Sequence, residues 1–219
     1  MRVSLHRRIA AVALGLACAA GISAQPANAQ DLFDGGRIAG GSSQIVPRGL
    51  SSSNELSEVN KAVDLDRYAG KWYQVAAVPQ PYTLQCYRDT TAEYAVTAPG
   101  EISVKNSCVT PWGTPSGIEG TATVRGQASL RVNFPDVPFQ DPNGPANYRI
   151  TYLADDYSLA IVGDPDRLSG FVLSRTPQLS QEQWDLVKHT VDERGWLPCT
   201  FLTVPAQGGM EQIKPVCTL

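Results

Sequence analysis

The sequence predicts an all-β protein: an eight-stranded antiparallel up-and-down β-barrel with one C-terminal α-helix packed outside it. Three observations carry that expectation. From about residue 70 onward, short alternating apolar and polar segments recur between Gly, Pro and Asp turn signals. Each segment can pair with the next, so eight of them can close on themselves and leave no free edge. A single late stretch switches to helical period and carries both helix-end signals.

The chain does not begin with fold. Arg2, Arg7 and Arg8 precede an apolar, small-residue run over 9–24, and Ala27-Asn28-Ala29 fits a cleavage site, so residues 1–29 read as a secretory signal peptide. Gly15, Gly21 and Ser23 interrupt the run and speak against a permanent membrane anchor. Arg7-Arg8 hints at twin-arginine export, although Ile9-Ala10-Ala11 matches that route poorly. Gly15-Leu16-Ala17-Cys18 is similar to a lipoprotein box with Gly where Leu is expected, which leaves a lipid anchor at Cys18 as the alternative. The expected destination is the extracellular space or the cell envelope. Residues 30–60 hold Gly35-Gly36, Gly40-Gly41-Ser42-Ser43 and Ser51-Ser52-Ser53 with few large apolar residues, and read as a flexible leader. Residues 61–219 then form one domain.

Within that domain the strands are expected at 71–78, 91–97, 101–109, 117–124, 128–134, 147–154, 158–163 and 170–175. Their turns are chemically apt: Ala98-Pro99-Gly100, Gly126-Gln127, Ala154-Asp155-Asp156 and Asp164-Pro165-Asp166. Ser180-Gln181-Glu182-Gln183 is a capping box, Gly195 suits a helix C-terminus, and Trp184, Val187 and Val191 share one face. A last strand follows near 200–204.

Removing the signal peptide takes three arginines and no acid, so the formal net charge of −3 becomes −6. An acidic chain without a basic cluster speaks against nucleic acid or an anionic surface as partner. No later segment has the length of a membrane span. Cys18 leaves with the signal, and Cys86, Cys108, Cys199 and Cys217 remain, an even number that points to two disulfides in an exported protein. A hairpin centred on Gly208 sets residues 199 and 217 opposite each other, which favours Cys199–Cys217 and leaves Cys86–Cys108. The second pairing requires Cys86 to curl back from a loop. Tying the C-terminal tail to a barrel strand is the other arrangement.

Three motifs then stand in order: Gly70-Lys71-Trp72-Tyr73, Tyr148-Arg149-Ile150-Thr151-Tyr152 with Asp155-Asp156-Tyr157, and Ser174-Arg175-Thr176-Pro177. A Trp opening one strand and an Arg ending another can meet as the sheet closes, the guanidinium over the indole. Together the motifs resemble the lipocalin signature over about 140 residues, nearest to bacterial lipocalins and the apolipoprotein D branch. The resemblance implies a calyx-shaped barrel whose closed end gathers Gly70, Trp72, Asp156 and Arg175 as scaffold. It implies a small hydrophobic ligand, such as a fatty acid or lysophospholipid, bound in the cavity. It also matches Tyr94, Asn106 and Phe171 to pocket positions.

The residues themselves support an inward set. Alternation with the more apolar parity inside points Ala76, Val78, Tyr94, Val96, Ile102, Val104, Leu130, Val132 and Phe134 inward. Tyr148, Ile150, Tyr152, Phe171 and Leu173 complete it. Of these, Tyr94, Asn106, Phe171, Ala76, Val104, Val132, Ile150 and Tyr152 are the candidate ligand contacts, although the same residues would equally fill a solid core. Asn106 shares the inward parity and needs a partner, either a neighbouring strand residue or a ligand group. The segment 79–85, with two prolines, Tyr82 and Leu84, is expected over the barrel mouth.

Catalysis is not expected. His6 leaves with the signal and His189 falls off the apolar helix face, so histidine triads and histidine metal clusters have no material. No nucleophile elbow, phosphate loop or metal-spaced cysteine pair is present, and no cofactor is expected; the lack of a spare histidine disfavours haem. Two alternatives to a carrier remain: a non-catalytic extracellular interaction or scaffold protein with a filled barrel, and a lipid-modifying enzyme that works through a carboxylate.

Overall fold

A computed structural model describes residues 55–219. The expected signal peptide, Cys18 and most of the expected leader lie outside these residues. The chain enters through a one-turn helix, α1 (Leu65–Tyr68), whose first amides, Asp66 N–H and Arg67 N–H, donate to the Asp64 carboxylate. Eight strands follow: β1 (Gly70–Ala77), β2 (Arg88–Ala98), β3 (Glu101–Val109), β4 (Pro115–Val124), β5 (Ser129–Asn133), β6 (Tyr148–Leu153), β7 (Leu159–Gly163) and β8 (Gly170–Ser174). Helix α2 (Gln181–Glu193) and a two-residue strand, β9 (Leu202–Thr203), complete the fold.

Every neighbouring pair is antiparallel, in sequence order from β2 to β8. The first half of β1 pairs with β2, from Gly70↔Tyr94 to Tyr73↔Thr91, and its second half pairs with β8, ending at Ala77↔Phe171. β1 is therefore the seam that closes the barrel. Where β1 departs from β2, β9 takes over its freed edge through Ala76↔Thr203 and Ala77↔Leu202.

Closure creates two cores. The inner one stacks Trp72, Tyr68, Tyr94, Leu130, Ile150 and Val162 within the barrel. The outer one packs Trp184, Val187 and Val191 of α2 on Val75, Ala76, Ile161 and Val172 of the barrel wall. The helix begins as its sequence specifies: the Ser180 hydroxyl accepts from Gln183 N–H, and the Gln183 side chain accepts from Ser180 N–H. Gly195 closes it at φ +86°.

Both expected disulfides form, with Cα separations of 5.5 Å for Cys86–Cys108 and 4.8 Å for Cys199–Cys217. Cys86 does curl in from a loop. It follows a 3₁₀ turn at Pro81–Thr83 and donates its N–H back to Thr83 O. The terminal hairpin is weaker than expected: apart from β9 only one bridge, Leu202↔Pro215, remains. Pro205 and Pro215 lack the amides a longer ladder would need.

The ordered domain starts earlier than the expected boundary at residue 61. Leu56 is fully buried in the outer core, its N–H donates to Pro165 O, and Val59 N–H donates to Ile150 O. Two apolar residues dock this segment together with polar contacts, Arg149 Nη1 donating to Leu56 O and Ala128 N–H to the Glu58 carboxylate, and composition alone averages such a signal away.

Candidate functional site: a tyrosine-floored cavity

The closed end is built around Arg175. Its guanidinium lies 3.9 Å from the Trp72 ring centroid. Nη1 donates to Lys71 O at 2.9 Å, and Nη2 reaches Arg67 O at 2.8 Å and Ala69 O at 2.9 Å. Those last two carbonyls belong to the C-terminal end of α1, which no backbone amide satisfies, so the arginine caps the helix and pins it to the seam. Trp72 Nε1 donates to Tyr68 O at 2.8 Å. Gly70 is required here by its φ of +94°, and a Cβ on it would sit 3.3 Å from Arg175 Nη1. Asp156 stands apart from the guanidinium. Its carboxylate accepts from Ser158 N–H and Oγ–H, which hold its pKa below the usual carboxylate value and fix the β6–β7 turn. That turn presents Tyr157, whose carbonyl accepts from Arg175 Nε at 3.3 Å.

Above this floor the barrel encloses a cavity of about 690 Å³, within the range of small-ligand pockets. Strand register explains who lines it. Trp72, Ala92, Asn106 and Ile118 sit opposite one another across β1 to β4 and face inward together. Tyr94 and Val104 form the next such row, and Phe171 and Leu173 of β8 face the same space. Tyr94, Asn106, Phe171, Val104 and Val132 all line the cavity, as the alternation placed them.

Three other candidates do not reach it. Ala76 belongs to the outer core because β1 is bulged between Gln74 and Ala76. The extra residue leaves Ala76 facing outward beside Val75, while Gln74, ahead of it, keeps the inward parity of Trp72 and faces the cavity. Tyr152 is displaced in the same way: a bulge between Ile150 and Tyr152 sets it opposite Ile161, on the face under α2. Ile150 does point inward, but it is sealed in the inner core and contributes nothing to the cavity wall. Val78 likewise packs on the outer core, and Val96 is substantially exposed.

The alternation missed the most concentrated polar feature of the site. Tyr68, Tyr94 and Tyr148 converge on the floor, with Tyr68 and Tyr148 hydroxyls 2.8 Å apart and Tyr94 and Tyr148 hydroxyls 3.3 Å apart. Tyr68 also packs 5.0 Å from Trp72 and 5.5 Å from Tyr94, centroid to centroid. Burial drives all three phenols upward, Tyr94 to about 12 and the other two well above the ordinary value. Tyr68 comes from α1, outside any strand, so strand period could not find it. No lining residue carries a formal charge. Asn106 and Gln74 make no side-chain hydrogen bond among the described residues and present free amides to the cavity wall.

The open end is apolar as well. Each of the four connections there exposes large hydrophobic side chains: Tyr82 and Leu84 after β1, Trp112 after β3, Val137 and Phe139 after β5, and Leu168 after β7. Phe139 is fully exposed and adopts φ +62°, a strained conformation for an aromatic residue. Tyr82 also touches the cavity, so the segment expected over the mouth stands at its rim. Among the described residues no helix is long and apolar enough to cross a membrane, and no group of three or more His, Cys, Asp or Glu converges as a metal site.

A closed antiparallel barrel with an external helix and a deep, uncharged cavity open at one end is the architecture of barrels with room for one small ligand. The Lipocalin-like domain family model matches residues 63–206. The chain is 34% identical over 146 residues to Temperature-induced lipocalin-1 of Arabidopsis thaliana, covering 62% of this chain and 76% of that protein. It is 32% identical over 171 residues to the Outer membrane lipoprotein Blc of Escherichia coli (strain K12), covering 76% of this chain and 89% of that one. Among solved structures it is similar to the cockroach allergen Per a 4, with a TM-score of 0.55 at 14% identity over 69% of this chain and 93% of the other. Lobster apocrustacyanin A1 aligns with a TM-score of 0.50 at 16% identity, over 68% and 89%. At those identities the two structures speak for the fold alone. The chain belongs to the lipocalin family, whose members bind small hydrophobic ligands.

Proposed function

We propose that this protein is a non-catalytic carrier that takes a lipid of the fatty-acid or lysophospholipid class into its barrel, working outside the cytoplasm at or near the cell envelope. The observation that carries this reading is the cavity: about 690 Å³ of enclosed, uncharged and mainly apolar space. A side-chain-filled barrel, the scaffold alternative, would not leave that volume. Burying about sixteen methylenes at roughly 0.8 kcal/mol each yields about 13 kcal/mol gross. Association costs roughly 4–15 kcal/mol, so micromolar or tighter binding needs no strong polar anchor.

The apolar crown at the mouth supports exchange of the ligand at a lipid surface, where the hydrophobic cargo is dissolved. One relative is itself named an outer membrane lipoprotein, in keeping with an envelope location. An anionic headgroup would remain at the mouth, since the cavity offers no cation to pair with it.

Organic extraction of the purified protein followed by mass spectrometry tests the reading. A stoichiometric lipid is expected, with intrinsic fluorescence changing as hexadecanoate is titrated into delipidated protein. Recovery of no lipid together with no response to added fatty acids would refute it.

A further inference from the structure

The tyrosine floor has more donors than it can use internally. Each phenol supplies one proton, and the three hydroxyls of Tyr68, Tyr94 and Tyr148 share only two contacts with one another. Whichever way the protons are ordered, one of the three has no acceptor among the described residues. Tyr68 and Tyr94 are almost wholly packed, whereas Tyr148 lines the cavity with accessible surface left on it. When Tyr68 and Tyr94 both donate to the Tyr148 oxygen, the spare proton is that of Tyr148, and the cluster then offers its donor to the ligand space.

The charge of the site limits what can meet that donor. With no charged side chain on the cavity wall, a carboxylate or phosphate driven to the floor would be buried without a counter-ion, at a prohibitive desolvation cost. The phenols cannot compensate by ionising, because burial holds them neutral well beyond physiological pH. An uncharged oxygen faces neither obstacle. A hydroxyl or carbonyl accepts the spare proton, and a hydroxyl can donate in return to a phenol lone pair. The unpartnered amides of Asn106 and Gln74 extend the same neutral, hydrogen-bonding character up the wall.

We propose that the floor formed by Tyr68, Tyr94 and Tyr148 is an oxygen-recognition subsite, and that this cavity selects lipids bearing an uncharged hydroxyl or carbonyl on the part of the chain that reaches the closed end. The inference rests on the carrier reading above and specifies its ligand class: an oxygenated chain with any charged head left at the mouth. An apolar terminal methyl fits the space but leaves the donor unpaired.

Two ligands with the same headgroup and chain length isolate the effect: hexadecanoate and 16-hydroxyhexadecanoate, titrated at pH 8 into delipidated protein with fluorescence read-out. A wholly apolar floor rejects a buried hydroxyl by roughly tenfold or more. The wild type is expected to bind the hydroxy acid at least as tightly as the plain acid. In Tyr148→Phe, and more so in the double variant Tyr94→Phe with Tyr148→Phe, the ratio of the two affinities should swing toward the plain acid by about 3–10-fold. Taking the ratio cancels any general loss of stability or cavity shape, and hexadecanoate binding shows that each variant is folded. Rejection of the hydroxy acid by tenfold or more in the wild type, or a ratio that the variants leave unchanged, would overturn the subsite while leaving the carrier reading intact. Failure of both acids to bind the wild type would overturn the two together.

Discussion

Replacing Arg175 by methionine removes the guanidinium while keeping an unbranched apolar stem over Trp72. The structure sets the size of the loss. The side chain contacts five carbonyls, those of Arg67, Tyr68, Ala69, Lys71 and Tyr157, and lies 3.9 Å above the indole. Hydrogen bonds to a charged group contribute about 1.5–3 kcal/mol each when their partners cannot rehydrate. Here the group is partly exposed and water can reach several of the carbonyls, so the hydrogen bonds together are worth about 2 kcal/mol. The cation–π contact adds about 1 kcal/mol. A total near 3 kcal/mol lowers Tm by about 6–12 °C for a domain of this size. Arg175→Lys keeps the charge, but a single ammonium cannot bridge α1, β1 and the β6–β7 turn at once, so it should recover less than half of the loss. Urea unfolding gives the free energies, and hexadecanoate titration gives the affinity of each folded variant. Because Arg175 does not line the cavity, Kd should stay within about threefold. A stability loss below about 1 kcal/mol, or affinity lost at unchanged stability, would refute the assignment of Arg175 as the clasp of the closed end.

Two further outcomes follow from the same geometry. The fold holds the floor tyrosines in their neutral form, with Tyr94 raised from 10.0 to about 12. Their contribution is therefore complete below pH 10 and is lost as pH rises through the raised folded-state values, about 12 for Tyr94. Absorbance titration of the phenolates should show Tyr68, Tyr94 and Tyr148 ionising late and together with cooperative alkaline unfolding; titration of all eight tyrosines near pH 10 would contradict the buried cluster. At the mouth, the double substitution Trp112→Ser with Phe139→Ser removes two exposed aromatic rings, each worth roughly 1.5–3 kcal/mol when buried. It should reduce co-sedimentation with phosphatidylcholine vesicles at least tenfold without altering Tm, and an unchanged partition would argue against lipid-surface exchange.

The fold was legible because its signals are local and redundant. Strand period, turn residues and the capping box at Ser180 each constrain a few positions, and tertiary closure only had to agree with them. The Trp72–Arg175 pairing was legible for a different reason: both residues end strands that a closing sheet must bring together. The site was legible only as far as the alternation stayed unbroken. From Tyr94 through Asn106 to Val132 the one register shift, between Val96 and Ala98 at the end of β2, lies beyond Tyr94, and Tyr94, Val104, Asn106 and Val132 all face the cavity. In β1 and β6 a single inserted residue reverses the parity beyond it, which moved Ala76 and Tyr152 beneath α2, while Gln74, ahead of the β1 bulge, kept the inward parity of Trp72. Both bulges occur where the barrel wall meets the helix and must bend to receive it. A bulge of this kind answers to packing from outside the strand, and no periodicity within the strand records it. The floor illustrates the complementary limit. Tyr94 and Tyr148 each lie on a predicted strand and point the right way, but the cluster depends on Tyr68, delivered by a four-residue helix that Asp64 caps below and Arg175 caps above. The guanidinium that closes the barrel thus also fixes the helix that completes its polar floor, joining the family's structural clasp to the chemistry of the ligand site.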